Sequence, residues 1–135
     1  MDRAKYVRIY TDESGESHFE DMETELVFRD FAPPAAPLAM APFLPSTKIQ
    51  WLGAPVGWAG DVPHPVPVRS VFVTTQGEYE VTASDGDVRR FPAGAALLLE
   101  DTWGKGHRTR GTSDIDFVIM IVAVDEQKTT RAIEP

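Results

Sequence analysis

The chain has 135 residues, no cysteine and a formal net charge of −8. Without cysteine it can form neither a disulfide nor a thiolate metal site, and it has no thiol nucleophile. The scattered negative charge disfavours nucleic acid and anionic membranes as partners, and no apolar run approaches the roughly 20 residues of a membrane span. The N-terminus is too polar for a signal peptide. We therefore expect one cytoplasmic domain, residues 1–135, with a small molecule as its partner.

The predicted elements, taken in chain order, are those of an all-β protein. Prolines recur between residues 33 and 92 and would interrupt helices, whereas short apolar runs separated by turn residues favour strands. The Pro/Ala-rich stretch 31–45 is expected to be extended and to lie against the body of the fold. Strands are predicted at 25–31, 49–52, 71–75, 79–82, 88–91, 94–100 and 117–124.

Two turns set the predicted pairing of these strands. Gln76-Gly77 is expected to join 71–75 and 79–82 as a pair, and residues 84–87 (Ser-Asp-Gly-Asp) favour a tight hairpin because Asp-Gly tolerates positive φ angles. The last strand is apolar at every position, which predicts that both of its faces are covered. The pattern indicates a small sandwich or barrel with its core at about residues 20–124 and a loose polar tail at 125–135.

His64 and His107 are the candidate catalytic residues. They lie at the outer ends of the region that contains the predicted hairpin, so a folded-over sheet could bring them to one place. Histidine both binds metals and transfers protons near neutral pH. One imidazole could then accept a proton while the other donates one. His18 lies in a polar segment, where we expect a local hydrogen-bonding role.

The residues around these histidines resemble the cupin superfamily, and in particular small single-domain bacterial cupins. The first cupin signature is Gly-x5-His-x-His-x3,4-Glu-x6-Gly; His64 stands at its first histidine and Gly77 at its closing glycine. Residues 91–107, FPAGAALLLEDTWGKGH, are similar to the second signature, with Gly94 at its start and His107 near its histidine. The resemblance covers nearly the whole chain. It implies a cupin-type jelly-roll β-barrel that forms a homodimer through its N-terminal strands and residues 31–45.

The resemblance also implies a metal held by three histidines and one glutamate, and this chain departs from that set. Val66 stands at the second histidine and Ser70 at the glutamate, so only His64 and His107 remain as ligands. A stable transition-metal site usually needs three protein ligands. We therefore expect no bound cofactor. Divalent Fe or Mn, held by the two histidines and a carboxylate, is the alternative.

Glu100 and Asp101 are the carboxylates that could complete such a site. Because they are adjacent, a strand would point them in opposite directions, and they cannot form a paired acid/base dyad. One of them is expected to form a salt bridge with Lys105 or Arg108.

The loss of two ligands predicts a wider and drier pocket. Arg69, next to Ser70, should point away from it. Tryptophan rings would suit a flat ligand. The expected substrate-binding set is Trp51, Trp58, Val66, Ser70, Phe72 and Trp103.

Three functions follow from these observations. The first is an enzyme of non-oxidative biosynthetic chemistry, an isomerase, a lyase or dehydratase, or a cyclase, with His64 and His107 as acid and base. The second is an Fe- or Mn-dependent, dioxygenase-like cupin. The third is a non-catalytic module that only binds a small molecule.

Overall fold

A computed structural model describes residues 2–126, and across them the chain is all-β. The part of the predicted tail at 127–135 lies outside the described residues. Within 2–126 there is no helix long and apolar enough to cross a membrane. The strands are β1 Arg3–Thr11, β2 Ser17–Glu25, β3 Val27–Arg29, β4 Leu38–Met40, β5 Ser46–Ala54, β6 Ala59–His64, β7 Ser70–Gln76, β8 Glu78–Ala83, β9 Val88–Pro92, β10 Ala96–Leu99, β11 His107–Gly111 and β12 Phe117–Val124.

The strands from β5 to β12 form a jelly roll. One sheet contains the order β10-β7-β12-β5 and the facing sheet has the order β6-β11-β8-β9. The antiparallel pairs are nested along the chain: β5 pairs with β12, β6 with β11, β7 with β10, and β8 with β9. This double-sheet, nested arrangement is that of a jelly roll. The predicted fold class is therefore confirmed.

Strands β1 and β2 extend the first sheet beyond the jelly roll. β1 runs parallel to β10 and pairs with β2 on its other side, and the side chain of Ile9 is fully buried. The sheet therefore begins at Arg3, earlier than the predicted core boundary near residue 20. Arg8 separates Ile9 from Tyr6 and Val7, so no continuous apolar run marks this strand.

The predicted pairing of β7 with β8 is wrong, because these strands belong to different sheets. The chain crosses from one sheet to the other at Gly77, whose φ is +69°, and a Cβ there would lie 2.8 Å from the carbonyl oxygen of Asp116. A residue with a side chain does not fit this corner. The predicted hairpin is confirmed, since β8 and β9 pair across a turn in which Gly86 has a φ of +93°.

The core lies between the two sheets. Tyr79 stacks on Phe91 at 5.3 Å between ring centroids and lies 5.6 Å from Phe117. Burial of the apolar side chains of Phe91 and Phe117 stabilises the fold by about 1.5–3 kcal/mol each. The buried apolar cluster consists of Ile9, Val66, Tyr79, Val81, Ala83, Phe91, Leu97, Leu99, Phe117 and Ile119.

Residues 27–44, called the arm below, make no strand pairing with the two main sheets, against which residues 31–45 were predicted to lie. β3 and β4 form a two-stranded sheet of their own, and no strand of the two main sheets pairs with them. Phe28 and Phe43 are largely exposed. Within the described part of the chain β3 and β4 pair only with each other, and an isolated two-stranded hairpin is only marginally stable in water.

His18 joins two turns, which confirms its predicted hydrogen-bonding role. Its Nε2 lies 2.6 Å from Oδ2 of Asp12 in the β1–β2 turn, and its Nδ1 lies 2.8 Å from Oδ2 of Asp85 in the β8–β9 turn. The hydrogen bonds to Asp12 and then to Asp85 raise the pKa of His18. The hydrogen bond from His18, followed by that from Ser14, lowers the pKa of Asp12.

We expect this bridge to make the stability of the protein depend on pH. Because the pKa of His18 is raised above its ordinary value of 6.5, its contribution is complete below that pH and is lost as the pH rises through the folded-state pKa. The lowered pKa of Asp12 confines the loss of its own contribution to pH values below 3.8. Urea unfolding at pH 6 and pH 9 should show a larger decrease for the wild type than for His18→Gln. Equal decreases would contradict the bridge.

Candidate functional site

A cavity of about 540 Å³ opens between the two sheets of the jelly roll. This volume lies within the range of small-molecule sites, roughly 300–1,000 Å³. Strands β5, β7 and β12 form one wall, and β6 and β11 form the other, with mostly apolar side chains. The lining residues are Gln50, Leu52, Gly53, Ala54, Pro55, Trp58, His64, Val66, Pro67, Val68, Ser70, Phe72, His107, Thr109, Phe117, Ile119 and Ile121.

The structure brings His64 and His107 together in this cavity. They are direct partners in the antiparallel pair of β6 and β11, and their ring centroids are 5.3 Å apart with the planes tilted by 55°. His107 is only 4% exposed, whereas His64 is exposed at the rim of the cavity. The two imidazoles therefore share one site but differ in their access to solvent.

Asp101 holds the buried histidine. Its Oδ2 lies 2.5 Å from Nδ1 of His107, and Asp101 itself is fully buried. An ionised carboxylate only accepts hydrogen bonds, so the ring donates from Nδ1 and the neutral ring carries no proton on Nε2. None of the described residues forms a hydrogen bond with that Nε2. An imidazolium formed at His107 would be paired with this carboxylate, as in other Asp–His pairs.

The tautomer of His64 is set by the main chain. Its Nδ1 lies 2.8 Å from the carbonyl oxygen of Pro65. Because a carbonyl can only accept, Nδ1 donates, and the neutral ring has an unprotonated Nε2. Both neutral rings thus carry a free lone pair on Nε2, but only His107 has a carboxylate behind it. The pair is suited to proton transfer in which the two rings have different roles.

Hydrogen bonds to two main-chain carbonyls hold the loop that carries Asp101 and leads to His107. The amide of Val66 donates to the carbonyl of Asp101 at 3.0 Å, and the hydroxyl of Ser17 donates to the carbonyl of Gly106 at 2.7 Å. Gly106 has a φ of +72°, and its α-carbon lies against the main chain of His64. Glycine is required there, since only a residue without a Cβ permits this approach.

Glu100 and Asp101 point in opposite directions, as the alternation predicted. Glu100 binds Arg8 at 3.1 Å and Arg69 at 2.8 Å, so Arg69 points away from the cavity as expected. The predicted salt bridge to Lys105 or Arg108 is wrong. Both residues follow the end of β10 at Leu99, and the loop there turns Asp101 inward toward His107 while Glu100 binds the two arginines.

Of the six predicted substrate-binding residues, Trp58, Val66, Ser70 and Phe72 line the cavity, and Trp51 and Trp103 do not. In β5 the even-numbered residues face the cavity, so Trp51 lies on the opposite face, beside Met120. Trp103 lies in the loop after β10, where Thr11 donates to its carbonyl at 2.9 Å, and its side chain is largely exposed.

Sequence reasoning missed part of the cavity wall and the role of Asp101. Ile119 and Ile121 belong to a run that is apolar at every position, so the sequence contains no signal for which face lines the cavity. Thr109 follows His107 by two residues, and the period of a strand could have placed it beside the histidine. Asp101 could be recognised only once the direction of its loop was known.

The donor atoms do not fit a resident iron or manganese ion. Within residues 2–126 no three His, Asp or Glu side chains converge as a metal site would require. Glu100 is bound by two arginines, and Asp101 lies on the Nδ1 side of His107, away from the free Nε2. Two imidazoles alone lack the third protein ligand of a catalytic site.

Comparisons with known proteins add a distant structural similarity. No family model and no curated protein matches the sequence. Among solved structures, the chain is similar to the cupin domain of Schizosaccharomyces pombe Cnp3, with 13% identity, coverage of 97% of this chain and 90% of that chain, and a TM-score of 0.49. The jelly-roll assignment rests on the nested strand pairing of this chain itself.

Proposed function

We propose that the chain is an enzyme that binds a small, largely apolar organic molecule in the cavity and catalyses non-oxidative proton transfer. The observation that carries this proposal is the placement of His64 and His107 side by side on the paired strands β6 and β11, in one wall of an apolar cavity, with a buried carboxylate behind the ring of His107. Isomerisation, elimination of water and cyclisation all use such transfers. The chemistry of the two imidazoles favours this reaction class; no related protein is used to support it.

The cavity wall indicates the kind of substrate. Its few polar side chains besides the histidines include Ser70 and Thr109, and the Ser70 hydroxyl already donates to the carbonyl of Val68 at 2.7 Å. A molecule that fits is therefore mostly apolar and presents one carbonyl or hydroxyl oxygen to the imidazoles. The low polarity of the wall strengthens the electrostatic interactions of the reacting groups.

Each histidine has a distinct role in this proposal. Nε2 of neutral His64 removes a proton from the carbon next to the substrate carbonyl, and Nε2 of protonated His107 donates a proton to the carbonyl oxygen, which gives an enol. When His107 donates this proton, it loses the positive charge that was paired with the carboxylate of Asp101. For the isomerisation of a β,γ-unsaturated carbonyl compound the enol is a conjugated dienol. His64 returns its proton to the γ-carbon, the double bond moves to the α,β position, and the enol hydroxyl returns its proton to His107, so bonds and protons balance over the cycle.

An exchange experiment tests the proposal without knowledge of the natural substrate. 2-Tetralone, a flat ketone with acidic α-hydrogens, is incubated with the protein in D2O containing EDTA, and deuteration is followed by proton NMR. We expect the wild type to exceed the double variant His64→Ala/His107→Ala by about 100-fold or more. His18→Gln is the matched control, because it removes an imidazole outside the cavity.

The same experiment separates the other two functions. Equal exchange by the wild type and the double variant, with 2-tetralone still raising the unfolding temperature of both, would favour a binding module. Exchange that occurs only after Fe(II) or Mn(II) replaces EDTA would favour the metal-dependent enzyme.

A further inference from the structure

Ser17 is a buried polar residue close to the candidate site, and the proposed mechanism does not use it. It is fully buried, although it begins β2, the edge strand of the six-stranded sheet. His107 begins β11 in the facing sheet. A buried hydroxyl group is stable only when its hydrogen-bonding capacity is satisfied, so the partners of Ser17 show what links the two sheets at this point.

The hydroxyl group of Ser17 joins two other segments of the chain. Its oxygen accepts a hydrogen bond from the amide of Ser84 at 2.7 Å, and its proton is donated to the carbonyl of Gly106 at 2.7 Å. The amide of Ser17 donates in turn to the hydroxyl oxygen of Ser84 at 2.7 Å. Because a hydroxyl group has a single proton, the one that Ser17 gives to Gly106 is not available to the oxygen of Ser84. The direction of these hydrogen bonds is therefore fixed.

The turn between β1 and β2 supports the rest of the loop that leads to His107. The hydroxyl group of Thr11 donates to the carbonyl of Trp103 at 2.9 Å, and the amide of Lys105 donates to the carbonyl of Gly15 at 2.8 Å. These contacts and the hydrogen bond from Ser17 follow one another along residues 103–106. The β1–β2 hairpin, which extends the sheet beyond the jelly roll, therefore lies along the loop that ends at the buried histidine.

Gly106 connects Ser17 to both histidines. Its carbonyl belongs to the peptide group that immediately precedes His107, and its α-carbon lies so close to β6 that a Cβ would be 2.1 Å from the carbonyl carbon of His64. Ser17 therefore holds Gly106 at its carbonyl, while the main chain of His64 restricts it at its α-carbon. Rotation of the peptide group between Gly106 and His107 would change the direction of the His107 side chain and its distance from His64.

We propose that Ser17 is a positioning residue for His107, because its hydroxyl group fixes the peptide group from which the imidazole projects. The ring is bound to Asp101 at the start of the loop and is attached to the main chain at its end, so both ends must be fixed for the pair to keep its geometry. A displacement of about 1 Å can slow a reaction by roughly 100-fold. The catalytic consequence rests on the proposed function, whereas the position of the ring can be measured without any activity.

The first test is the variant Ser17→Ala, which leaves the carbonyl of Gly106 without its donor. When the exchange of 2-tetralone is measured over a range of concentrations, we expect kcat to fall about 10-fold or more and KM to change less than about two-fold, because the cavity wall is unchanged. His18→Gln is the matched control: it removes a side chain that bridges the same two turns, through Asp12 and Asp85, and it keeps the hydroxyl group of Ser17. Its kcat should equal that of the wild type.

The second test measures the position of the ring in the folded protein. Nuclear Overhauser contacts between the two imidazoles and the nitrogen-15 shifts of His107 should change in Ser17→Ala and should match the wild type in His18→Gln. A serine that only stabilised the fold would lower the midpoint of unfolding and leave both signals of the folded state as they are. Circular dichroism checks that the variant is folded. If the alanine variant is not, Ser17→Cys replaces it, since a thiol is similar in size and is only a weak donor.

The two tests distinguish a failure of this inference from a failure of the proposed function. A lower kcat together with changed imidazole signals supports Ser17 as a positioning residue. Unchanged imidazole signals in folded Ser17→Ala, or a kcat equal to that of an active wild type, would overturn it and leave the proposed function standing. A wild type that catalyses no exchange would overturn the proposed function, and the imidazole signals alone would then decide whether Ser17 positions His107.

Discussion

The variant Gly106→Ala is expected to lose about 3 kcal/mol or more of the free energy of unfolding and to separate the two histidines. An alanine Cβ would lie 2.1 Å from the carbonyl carbon of His64 and 2.3 Å from its oxygen. These are main-chain atoms of a paired strand, so they cannot move without displacing β6. The displacement adds about 1–3 kcal/mol to the 1–2 kcal/mol of a left-handed residue that carries a side chain.

Gly94→Ala provides the matched control for this prediction. Gly94 has a φ of +94°, and a Cβ there would meet no atom within 4 Å. It therefore isolates the backbone strain, and we expect a loss of about 1 kcal/mol. Urea unfolding measures both variants, and nuclear Overhauser contacts between the two imidazoles report their separation. Equal losses in the two variants would show that the approach of Gly106 to His64 is unimportant.

The variant Asp101→Asn is expected to reduce the exchange of 2-tetralone about 100-fold or more while the protein remains folded. The amide is almost the same size as the carboxylate, so the packing of this fully buried residue is preserved. It carries no charge to pair with an imidazolium at His107, and its NH2 group can hold the ring in the other tautomer, with the proton on Nε2. Asp101 is thus a positioning residue for His107.

Spectroscopy separates this role from a merely structural one. Nitrogen-15 spectra of the imidazoles should show the proton of His107 on Nδ1 in the wild type and a changed tautomer in Asp101→Asn, with His64 unaffected. Asp21→Asn is the control, because it changes the net charge equally at an exposed carboxylate whose partner is Arg89, far from the cavity. An unchanged tautomer together with an unchanged rate would remove Asp101 from the mechanism.

The strands that were predicted well are those whose local signals agree. Val88–Pro92 follows an Asp-Gly turn, and Phe117–Val124 is β-branched and apolar, so turn chemistry and composition identify both. Arg3–Thr11 and His107–Gly111 were missed as regular strands because charged residues interrupt both of them. Their places in the sheets depend on neighbours that are distant in sequence, and local patterns carry no information about those neighbours.

In the candidate site, too, local signals predicted some features and distant neighbours decided the others. The alternation expected of adjacent strand residues correctly separated Ser70 from Arg69, whereas the loop after β10 sets the directions of Glu100 and Asp101. The same rule, applied to β5, would have excluded Trp51 had the inner face been known. That face depends on how β5 pairs with β12 and packs across the barrel, which is a long-range property.

The amino-acid sequence by itself determined an all-β chain, the position of its hairpin turn and the two histidines as the residues to follow. Only the tertiary structure decided that these rings lie side by side, that Asp101 lies behind one of them, and that the arm forms a two-stranded sheet of its own. The physical reason is that composition and periodicity act over a few residues, whereas the register of β6 against β11 and the path of the loop before His107 result from packing between distant parts of the chain.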